Sequence, residues 1–254
     1  MKKLREAIEH LRCLVIADVH ANLAAFEAVL ADAGPFDEVW CLGDLVGYGP
    51  DPNECVERIR EMKHRAVAGN HDYAAVGQVS LRHFNDSARM AAEWTAATLE
   101  RDNRIYLQSL PLQQEIGDYT LVHGSTRSPV WEYIDSSQAA LENLDLQPAR
   151  YCLVGHTHVP VVFRETTGLI RRAREWRLRG DLTTIHLDAA KTILNPGSVG
   201  QPRDGDPRAA YMLLEPDTGL AEVRRVEYPI ERTQGRIAAF GLPERNAFRL
   251  ALGR

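Results

Sequence analysis

The chain has 254 residues, of which 44% are hydrophobic and 26% are charged, a usage typical of a folded globular protein rather than a disordered or fibrous one. Its 30 Lys and Arg residues are outnumbered by 35 Asp and Glu, giving a formal charge of -5, so no basic excess favours general nucleic-acid binding. The longest stretch without a charged residue, 151–163, contains two His and is too short and too polar to cross a bilayer.

The cysteines and the N-terminal segment indicate the cellular compartment of the protein. None of the four Cys has C-x-x-C spacing, so we expect reduced thiols and no cysteine metal site. The segment MKKLREAIEHLR carries charges throughout and lacks the apolar centre of a secretory signal, so we expect a short helix or an extension before the first strand. These features predict a cytoplasmic protein, and the absence of a linker or a composition shift predicts a single domain over residues 1–254.

The order of strand-like and helical patterns predicts an α/β fold. In the first half, short apolar runs alternate with helical periodicities, as in βαβ units that build a largely parallel sheet. The predicted elements of this half are strands at 13–17, 38–42 and 65–68, helices at 23–33, 52–63 and 85–101, and extended segments at 112–122, 151–154 and 159–165. The second half is rich in strands and predicts an antiparallel sheet followed by two helices. Its predicted elements are strands at 174–187, 192–194, 209–214 and 221–228, and helices at 230–240 and 243–250.

Residues 164–191 are unusually charged for core strands. Arginines at five positions are interleaved with apolar residues: Arg171, Arg172, Arg174, Arg177 and Arg179. Because runs of charge usually form solvated faces, we expect a charged hairpin with one buried face. The alternative is a lid over a phosphate-bearing substrate.

Polar side chains are clustered directly after apolar runs, where a strand gives way to a loop. The five clusters are Asp18-Val19-His20, Gly43-Asp44, Gly69-Asn70-His71-Asp72, His123-Gly124 and Gly155-His156-Thr157-His158. Loops at the carboxyl ends of strands converge in such folds, and five of the nine His lie in these clusters. Asp, Asn and His bind divalent metals through oxygen or imidazole nitrogen, and this number of ligands fits two ions.

In this order the clusters resemble the calcineurin-like metallophosphoesterase superfamily, whose pattern is D-x-H, GD, GNH[DE], H and GHxH. The match spans residues 18–158, and the segment Asn195-Pro196-Gly197-Ser198-Val199 resembles one seen in the small bacterial and archaeal phosphodiesterase branch. The resemblance implies a four-layer α/β/β/α sandwich of two mixed sheets flanked by helices. It also implies a dinuclear metal centre at the loop ends of the sheets.

The resemblance further implies roles for individual residues. It assigns Asp18, His20 and His158 to a first metal ion. It assigns Asn70, His123 and His156 to a second ion, and Asp44 as the carboxylate that bridges both. The catalytic candidates are Asp44 and His71, since His71 would face the phosphorus and donate a proton or a hydrogen bond. We expect two divalent transition-metal ions, with Mn favoured and with Fe, Zn or Ni as alternatives that the same ligands accept.

Three further residues are candidates for substrate contacts. Asn22 follows Asp18 by four residues and could cap a helix or donate a hydrogen bond to substrate. Arg127 and Arg203 are candidates for a bidentate phosphate clamp, with a solvated surface arginine as the alternative for each. The Asn195-Pro196-Gly197-Ser198 segment is predicted to be a turn first and a support for the site second.

One departure from the superfamily narrows the predicted function. Gly43-Asp44-Leu45-Val46 lacks the V-D-R-G or N-R-G continuation typical of protein Ser/Thr phosphatases and symmetrical dinucleoside tetraphosphatases. We therefore predict an enzyme, a metal-dependent phosphoric ester hydrolase, that cleaves a small, nucleotide-like phosphodiester or phosphomonoester through a metal-bridging hydroxide. The alternatives are a dinucleoside polyphosphate hydrolase and a non-catalytic scaffold or binding protein on the same fold. The expected partners are this small substrate and a second copy in a homodimer through the strand-rich half, with no membrane.

Overall fold

The computed structural model describes residues 11–166 and 170–254, so most of the N-terminal segment lies outside the described residues. The strands β1 to β12 span, in order, Cys13–Ile16, Glu38–Cys41, His64–Ala66, Gln113–Ile116, Tyr119–Val122, Tyr151–Leu153, Val161–Thr166, Arg172–Arg177, Leu182–His186, Thr192–Asn195, Ala209–Glu215 and Leu220–Val226. The helices α1 to α8 span Leu23–Ala33, Pro52–Arg60, Asn70–Ala75, Asp86–Thr98, Arg101–Ser109, Ser137–Leu146, Ile230–Ala239 and Glu244–Leu250, and a 3₁₀ turn spans Leu81–His83.

The strands form two six-stranded mixed sheets. The first sheet has the order β3-β2-β1-β11-β12-β9, and the second has the order β4-β5-β6-β10-β7-β8. In the first sheet β1, β2 and β3 are parallel, and β11 runs antiparallel to β1. In the second sheet β5, β6 and β10 are parallel. In each sheet the carboxyl ends of these three parallel strands therefore face one edge.

Alternation along β1 shows how the layers are built. Cys13 and Val15 belong to the apolar cluster between the sheets, whereas Leu14 and Ile16 belong to the cluster beneath α1 and α2. Successive side chains of a strand point to opposite faces, so a strand buried on both faces must be apolar throughout. A third cluster joins the outer face of the second sheet to α6. The predicted four-layer sandwich of two mixed sheets flanked by helices is confirmed.

The predicted helix over 85–101 ends early. Helix α4 stops at Thr98, and Leu99 leaves the helical region with φ -57° and ψ 127°. The side chain of Asn53 accepts a hydrogen bond from Glu100 N at 2.8 Å, which fixes the break before α5 begins. This contact joins residues far apart in the chain, so the local sequence pattern did not indicate it.

The second half does not form one antiparallel sheet. Strands β7, β8 and β10 join the second sheet, whereas β9, β11 and β12 join the first. The charged segment 164–191 is therefore divided, since β8 pairs with β7 and β9 pairs with β12. Its five arginines are exposed, and none lines the cavity described below. In the described residues, no helix combines the length and the apolar character needed to span a membrane.

Candidate metal centre

The seven predicted ligands lie in loops at the carboxyl ends of the parallel strands. The first two follow β1, the next follows β2, Asn70 begins α3 after β3, and the last three follow β5 and β6: Asp18, His20, Asp44, Asn70, His123, His156 and His158. All seven are at most 5% exposed. The two sheets thus present their ligand loops to one shared buried volume.

The backbone of these loops is held in an unusual conformation. In the described part of the chain, seven non-glycine residues have a positive φ. Five of them are predicted ligands: Asp18, His20, Asp44, His156 and His158. The other two, Ala21 and Tyr48, lie in the loops that contain His20 and Asp44. Left-handed φ costs a non-glycine residue about 1–3 kcal/mol, and such strain concentrates at functional sites. The surrounding hydrogen bonds must therefore over-determine these positions.

Asp72 supplies part of that support. Its carboxylate accepts hydrogen bonds from the main-chain nitrogens of Asp44 at 2.8 Å, Gly69 at 2.9 Å and Val46 at 3.1 Å. Burial, together with the charge of Asp44, raises the pKa of Asp72 to about 7. A Cβ on Gly69 would lie 2.0 Å from Asp44 Oδ1, so only glycine permits this approach. Asp72 was not predicted to be a functional residue, although an acidic residue three positions after Gly69 is a capping pattern.

The first group of convergent ligand atoms comes from Asp18, His20, Asp44 and His158. His20 Nδ1 donates to Val46 O at 3.1 Å, and His158 Nδ1 donates to Gln201 O at 2.6 Å. A ring nitrogen facing a carbonyl oxygen must carry the proton, so each Nε2 is left as an acceptor. These two Nε2 atoms are 3.1 Å apart.

The second group comes from Asp44, His123 and His156. His123 Nδ1 donates to Leu42 O at 2.8 Å, which directs its Nε2 toward the cluster. That Nε2 lies 3.3 Å from Asp44 Oδ2, 3.2 Å from Asn70 Oδ1 and 3.0 Å from His156 Nδ1. Asp44 belongs to both groups, and its buried Oδ2 has no hydrogen-bond partner among the described residues.

The electrostatics of the cluster favour a cation. Burial acts to lower the pKa of His123, but its close contact with Asp44 and the charge of Asp18 outweigh burial and raise the pKa to about 9. Burial raises the pKa of Asp18 to about 8. Burial also lowers the pKa of His20 and of His158 well below the usual value, which keeps both imidazoles neutral. Buried Asp18 and Asp44 beside the neutral imidazoles of His20 and His158 are suited to a divalent ion, so the donor set fits the metal centre that the resemblance implies.

The ligand loops open into a cavity of about 490 Å³, a volume that includes space open to solvent. Four predicted ligands, Asp44, Asn70, His156 and His158, line this cavity together with His71. The other lining residues are Tyr48, His83, Phe84, Asn85, Ala88, Trp131, Tyr133 and Arg203.

Residues 11–219 match the sequence profile described as the calcineurin-like phosphoesterase superfamily domain. This chain belongs to the calcineurin-like phosphoesterase superfamily.

Relatives and solved structures agree with this membership. The chain is 38% identical over 250 residues to an uncharacterized protein of Methanocaldococcus jannaschii, covering 94% of this chain and 97% of that protein. It is 28% identical over 220 residues to the phosphodiesterase YfcE of Escherichia coli, covering 82% of this chain and 89% of that protein. A solved metallophosphoesterase from Sphaerobacter thermophilus has a TM-score of 0.88 at 48% identity, covering 96% of this chain and all (100%) of that one. The predicted small bacterial and archaeal branch of the superfamily is confirmed.

In this superfamily member the Asn195-Pro196-Gly197-Ser198 segment is both a turn and a support. Asn195 Nδ2 donates to Gly155 O at 2.6 Å and to Thr157 Oγ1 at 3.0 Å, which holds the loop of the last two histidines. Ser198 Oγ donates to Asp18 O at 2.8 Å. Two ligand loops from different sheets are thereby tied to the same segment.

His71 lies where the sequence analysis expects it, beside the two groups of ligands. Its main-chain nitrogen donates to Asp44 Oδ1 at 2.9 Å, and its ring lines the cavity. The ring packs edge-on against His20 at 4.9 Å between centroids, and its buried Nδ1 has no hydrogen-bond partner among the described residues. Because the ring lines the cavity, it can interact with a group bound there.

Asn22 acts as a helix cap, and the expectation of a substrate contact is not supported. Its Oδ1 accepts from Ala25 N at 3.2 Å and from Thr233 Oγ1 at 2.8 Å. Its Nδ2 donates to Gly200 O at 2.9 Å and to Tyr228 Oη at 3.3 Å. Protein groups thus occupy the amide, which is 1% exposed.

Arg127 does not reach the cavity either. Its guanidinium pairs with Glu132 and, at 2.7 Å, with Glu142 on α6. These carboxylates hold it against the loop that follows β5, so the expectation of a phosphate clamp at this position is corrected. Sequence alone could not reveal this pairing, because Glu142 lies on a separate helix.

Arg203 is the one predicted substrate residue that lines the cavity among those described. Its Nη2 donates to the neutral Gln201 Oε1 at 2.8 Å, and its guanidinium carbon lies 5.7 Å from the ring centroid of Tyr48. A guanidinium held by a neutral partner beside the ligand cluster is well placed to bind phosphate oxygens.

Proposed function

We propose that this chain is a dinuclear, divalent-metal-dependent phosphoesterase that hydrolyses small phosphodiesters or phosphomonoesters. The observation that carries the proposal is the approach of His20 Nε2 to His158 Nε2 at 3.1 Å. Both atoms are acceptors, because each Nδ1 donates to a main-chain carbonyl. Two facing lone pairs repel each other unless a cation binds both.

The proposed ligand assignment follows the two groups of convergent atoms. Three residues hold the first ion, three hold the second and one bridges them: Asp18, His20 and His158; Asn70, His123 and His156; and Asp44. The presence of Asp44 in both groups supports this division, as does its buried, unpartnered Oδ2. We propose Mn²⁺ as the ion, since this set of imidazole, carboxylate and amide ligands suits it.

Two side chains complete the proposed chemistry. The metal pair would supply an activated water molecule and neutralise phosphate charge. His71, whose ring lines the cavity, would donate a hydrogen bond or a proton to the leaving oxygen. Arg203 binds phosphate oxygens from the cavity wall and stabilises the negative charge that develops on them. The hydrogen bond from His71 N to Asp44 Oδ1 fixes the proton donor relative to the bridging carboxylate.

The first experiment measures hydrolysis of bis(p-nitrophenyl) phosphate and of p-nitrophenyl phosphate, with Mn²⁺ added and after metal removal. Turnover is expected to require the metal and to fall by at least about 100-fold in Asp44→Asn. The matched control is Asp118→Asn, because Asp118 is 63% exposed at the opposite end of β5. The ratio of the two rates distinguishes a diesterase from a monoesterase.

Two outcomes of that experiment favour the alternatives. Two bound ions without turnover of either substrate would favour a selective dinucleoside polyphosphate hydrolase, which diadenosine tetraphosphate then tests. No bound metal and no turnover would favour a non-catalytic scaffold and contradict the proposal.

Three further properties are proposals: the cellular location, the domain organisation and the oligomeric state. We propose a cytoplasmic protein, supported by four buried, free cysteines: Cys13, Cys41, Cys55 and Cys152. We further propose that the chain works as a single domain, since both sheets contribute ligand loops. A homodimer through the strand-rich half is proposed too, and analytical ultracentrifugation tests it by the mass in solution.

A further inference from the structure

Several rings at the mouth of the cavity are not part of the protein core. Phe84, Trp131 and Tyr133 line the cavity, yet in the described residues none of them belongs to any of the four apolar clusters. Phe84 and Trp131 are half-buried, and Tyr133 is 48% exposed. Rings that stabilise no core and face a cavity are suited to contact a ligand.

Phe84 is held in place by a short capped connection. Ser80 caps the 3₁₀ turn by accepting from Arg82 N at 3.3 Å, and Asn85 caps α4 by accepting from Ala88 N at 3.0 Å. Phe84 lies between these two caps, with its nitrogen donating to Leu81 O at 3.0 Å. The backbone on both sides of Phe84 is therefore held by hydrogen bonds within the protein.

Trp131 is fixed by the loop that follows His123. Ser125 Oγ accepts from Ser128 N at 2.9 Å and donates to Glu132, and Gly124 N donates to Pro129 O at 2.5 Å. The pairing of Arg127 with Glu132 and Glu142 closes the same loop. Arg127 thus positions the tryptophan rather than contacting phosphate.

These rings are arranged on the side of the cavity where His71 lies. Phe84 packs edge-on against His71 at 4.8 Å between centroids, and Trp131 packs edge-on against Phe84 at 5.7 Å. His83 also packs edge-on against Trp131, at 5.4 Å between centroids. Under the proposed function His71 faces the leaving oxygen, so the group attached to that oxygen meets Phe84 and Trp131.

We propose that Phe84 and Trp131 form a subsite for a planar ring on the leaving group, so that the substrates are esters of nucleosides or aryl alcohols. The inference rests on the proposed function, because that function places the phosphate at the metal ligands. Every nucleobase has a π face that can stack on an aromatic side chain, so this subsite selects a planar group without distinguishing one base from another.

The test compares two competitive inhibitors of bis(p-nitrophenyl) phosphate hydrolysis that differ only in the base: AMP and ribose 5-phosphate. The inhibition constant of AMP is expected to be about tenfold lower. Trp131→Leu keeps an apolar side chain and removes the ring, so the ratio of the two constants should fall toward one while ribose 5-phosphate binds as before. Phe84→Leu should act in the same direction.

Trp176→Leu is the matched control, because Trp176 is a half-buried tryptophan on β8 that does not line this cavity. Equal inhibition constants in the unmodified enzyme would overturn the subsite and leave the phosphoesterase proposal intact. If the diester is not turned over at all, the proposed function fails instead. Calorimetric binding of the two ligands in Mn²⁺ then decides the subsite, and equal dissociation constants overturn it.

Discussion

His71 and the metal ligands share one cavity but differ in their bonding. The ligand atoms face one another, whereas His71 meets the cluster only through its main-chain hydrogen bond to Asp44 and its ring edge. Removing the His71 ring should therefore affect proton transfer and leave the metals in place.

His71→Asn is predicted to lower kcat for phenyl phosphate by about 100-fold or more, the usual contribution of a general acid. The loss with p-nitrophenyl phosphate should be smaller, because p-nitrophenolate leaves without needing the proton. Steady-state kinetics with both substrates measure the difference, and metal analysis of the variant checks that two ions remain. Equal losses with the two substrates would show that His71 is not the proton donor.

Asp72 is a residue whose loss should act through the backbone of the site. Asp72→Asn keeps the shape but replaces one acceptor oxygen with a donor, which would then face the main-chain N–H of Asp44, Gly69 or Val46. An unsatisfied buried donor costs about 1–3 kcal/mol, so the free energy of unfolding should fall by that amount. Urea denaturation of the metal-free protein measures it, and an unchanged midpoint would refute this role.

At the scale of elements, helix α1 shows what the local sequence can predict. Its bounds, Leu23–Ala33, match the prediction, because Asn22 caps one end and Gly34 ends the other with φ 67°. The end of α4 and the division of residues 164–191 between two sheets were not predictable in this way. Both depend on partners distant in sequence, namely Asn53 for the first and β12 for the second.

The candidate site also has one part that the local sequence predicts and another part that depends on contacts between distant residues. The ligand positions were predictable because each stands in a short motif at a strand end, and parallel strands bring such ends together. Phe84 and Trp131 carry no motif and come from two separate loops, so only the tertiary structure brings them to one cavity wall. The pairing of Arg127 with Glu142 was hidden for the same reason.

We also predict the effect of substituting Gly200, which lies just after the segment that ties the ligand loops together. A Cβ on Gly200 would lie 1.8 Å from Val19 O, in the loop between Asp18 and His20. Gly200→Ala should therefore displace that loop, lowering both metal affinity and the melting temperature. The control is Gly235→Ala in α7, where a Cβ meets nothing within 4 Å and helix propensity should add about 0.5–1 kcal/mol. Differential scanning calorimetry compares the two, and a harmless Gly200→Ala would contradict the close approach.

At the scale of the whole molecule, the candidate centre joins the two sheets. Asp18, His20 and Asp44 follow strands of the first sheet, whereas His123 and His156 follow strands of the second. Bound ions would therefore link the carboxyl ends of both sheets, and a ligand that binds only the folded state stabilises it.

Metal binding is accordingly predicted to raise the melting temperature. At a free Mn²⁺ concentration 100 times the dissociation constant, each site adds about 2.7 kcal/mol. A chelator should reverse the increase, and Asp44→Asn should remove most of it while Asp118→Asn keeps it. A melting temperature that does not respond to Mn²⁺ would contradict this linkage.

The most direct test of the account is the number of metal ions that each chain binds. Metal-free protein is titrated with Mn²⁺, the excess is removed, and the bound metal is measured by mass spectrometry beside turnover of bis(p-nitrophenyl) phosphate. We predict two ions per chain, with activity appearing as the second site fills, and fewer than two ions in Asp44→Asn. Full activity with one ion, or with none, would contradict the dinuclear centre.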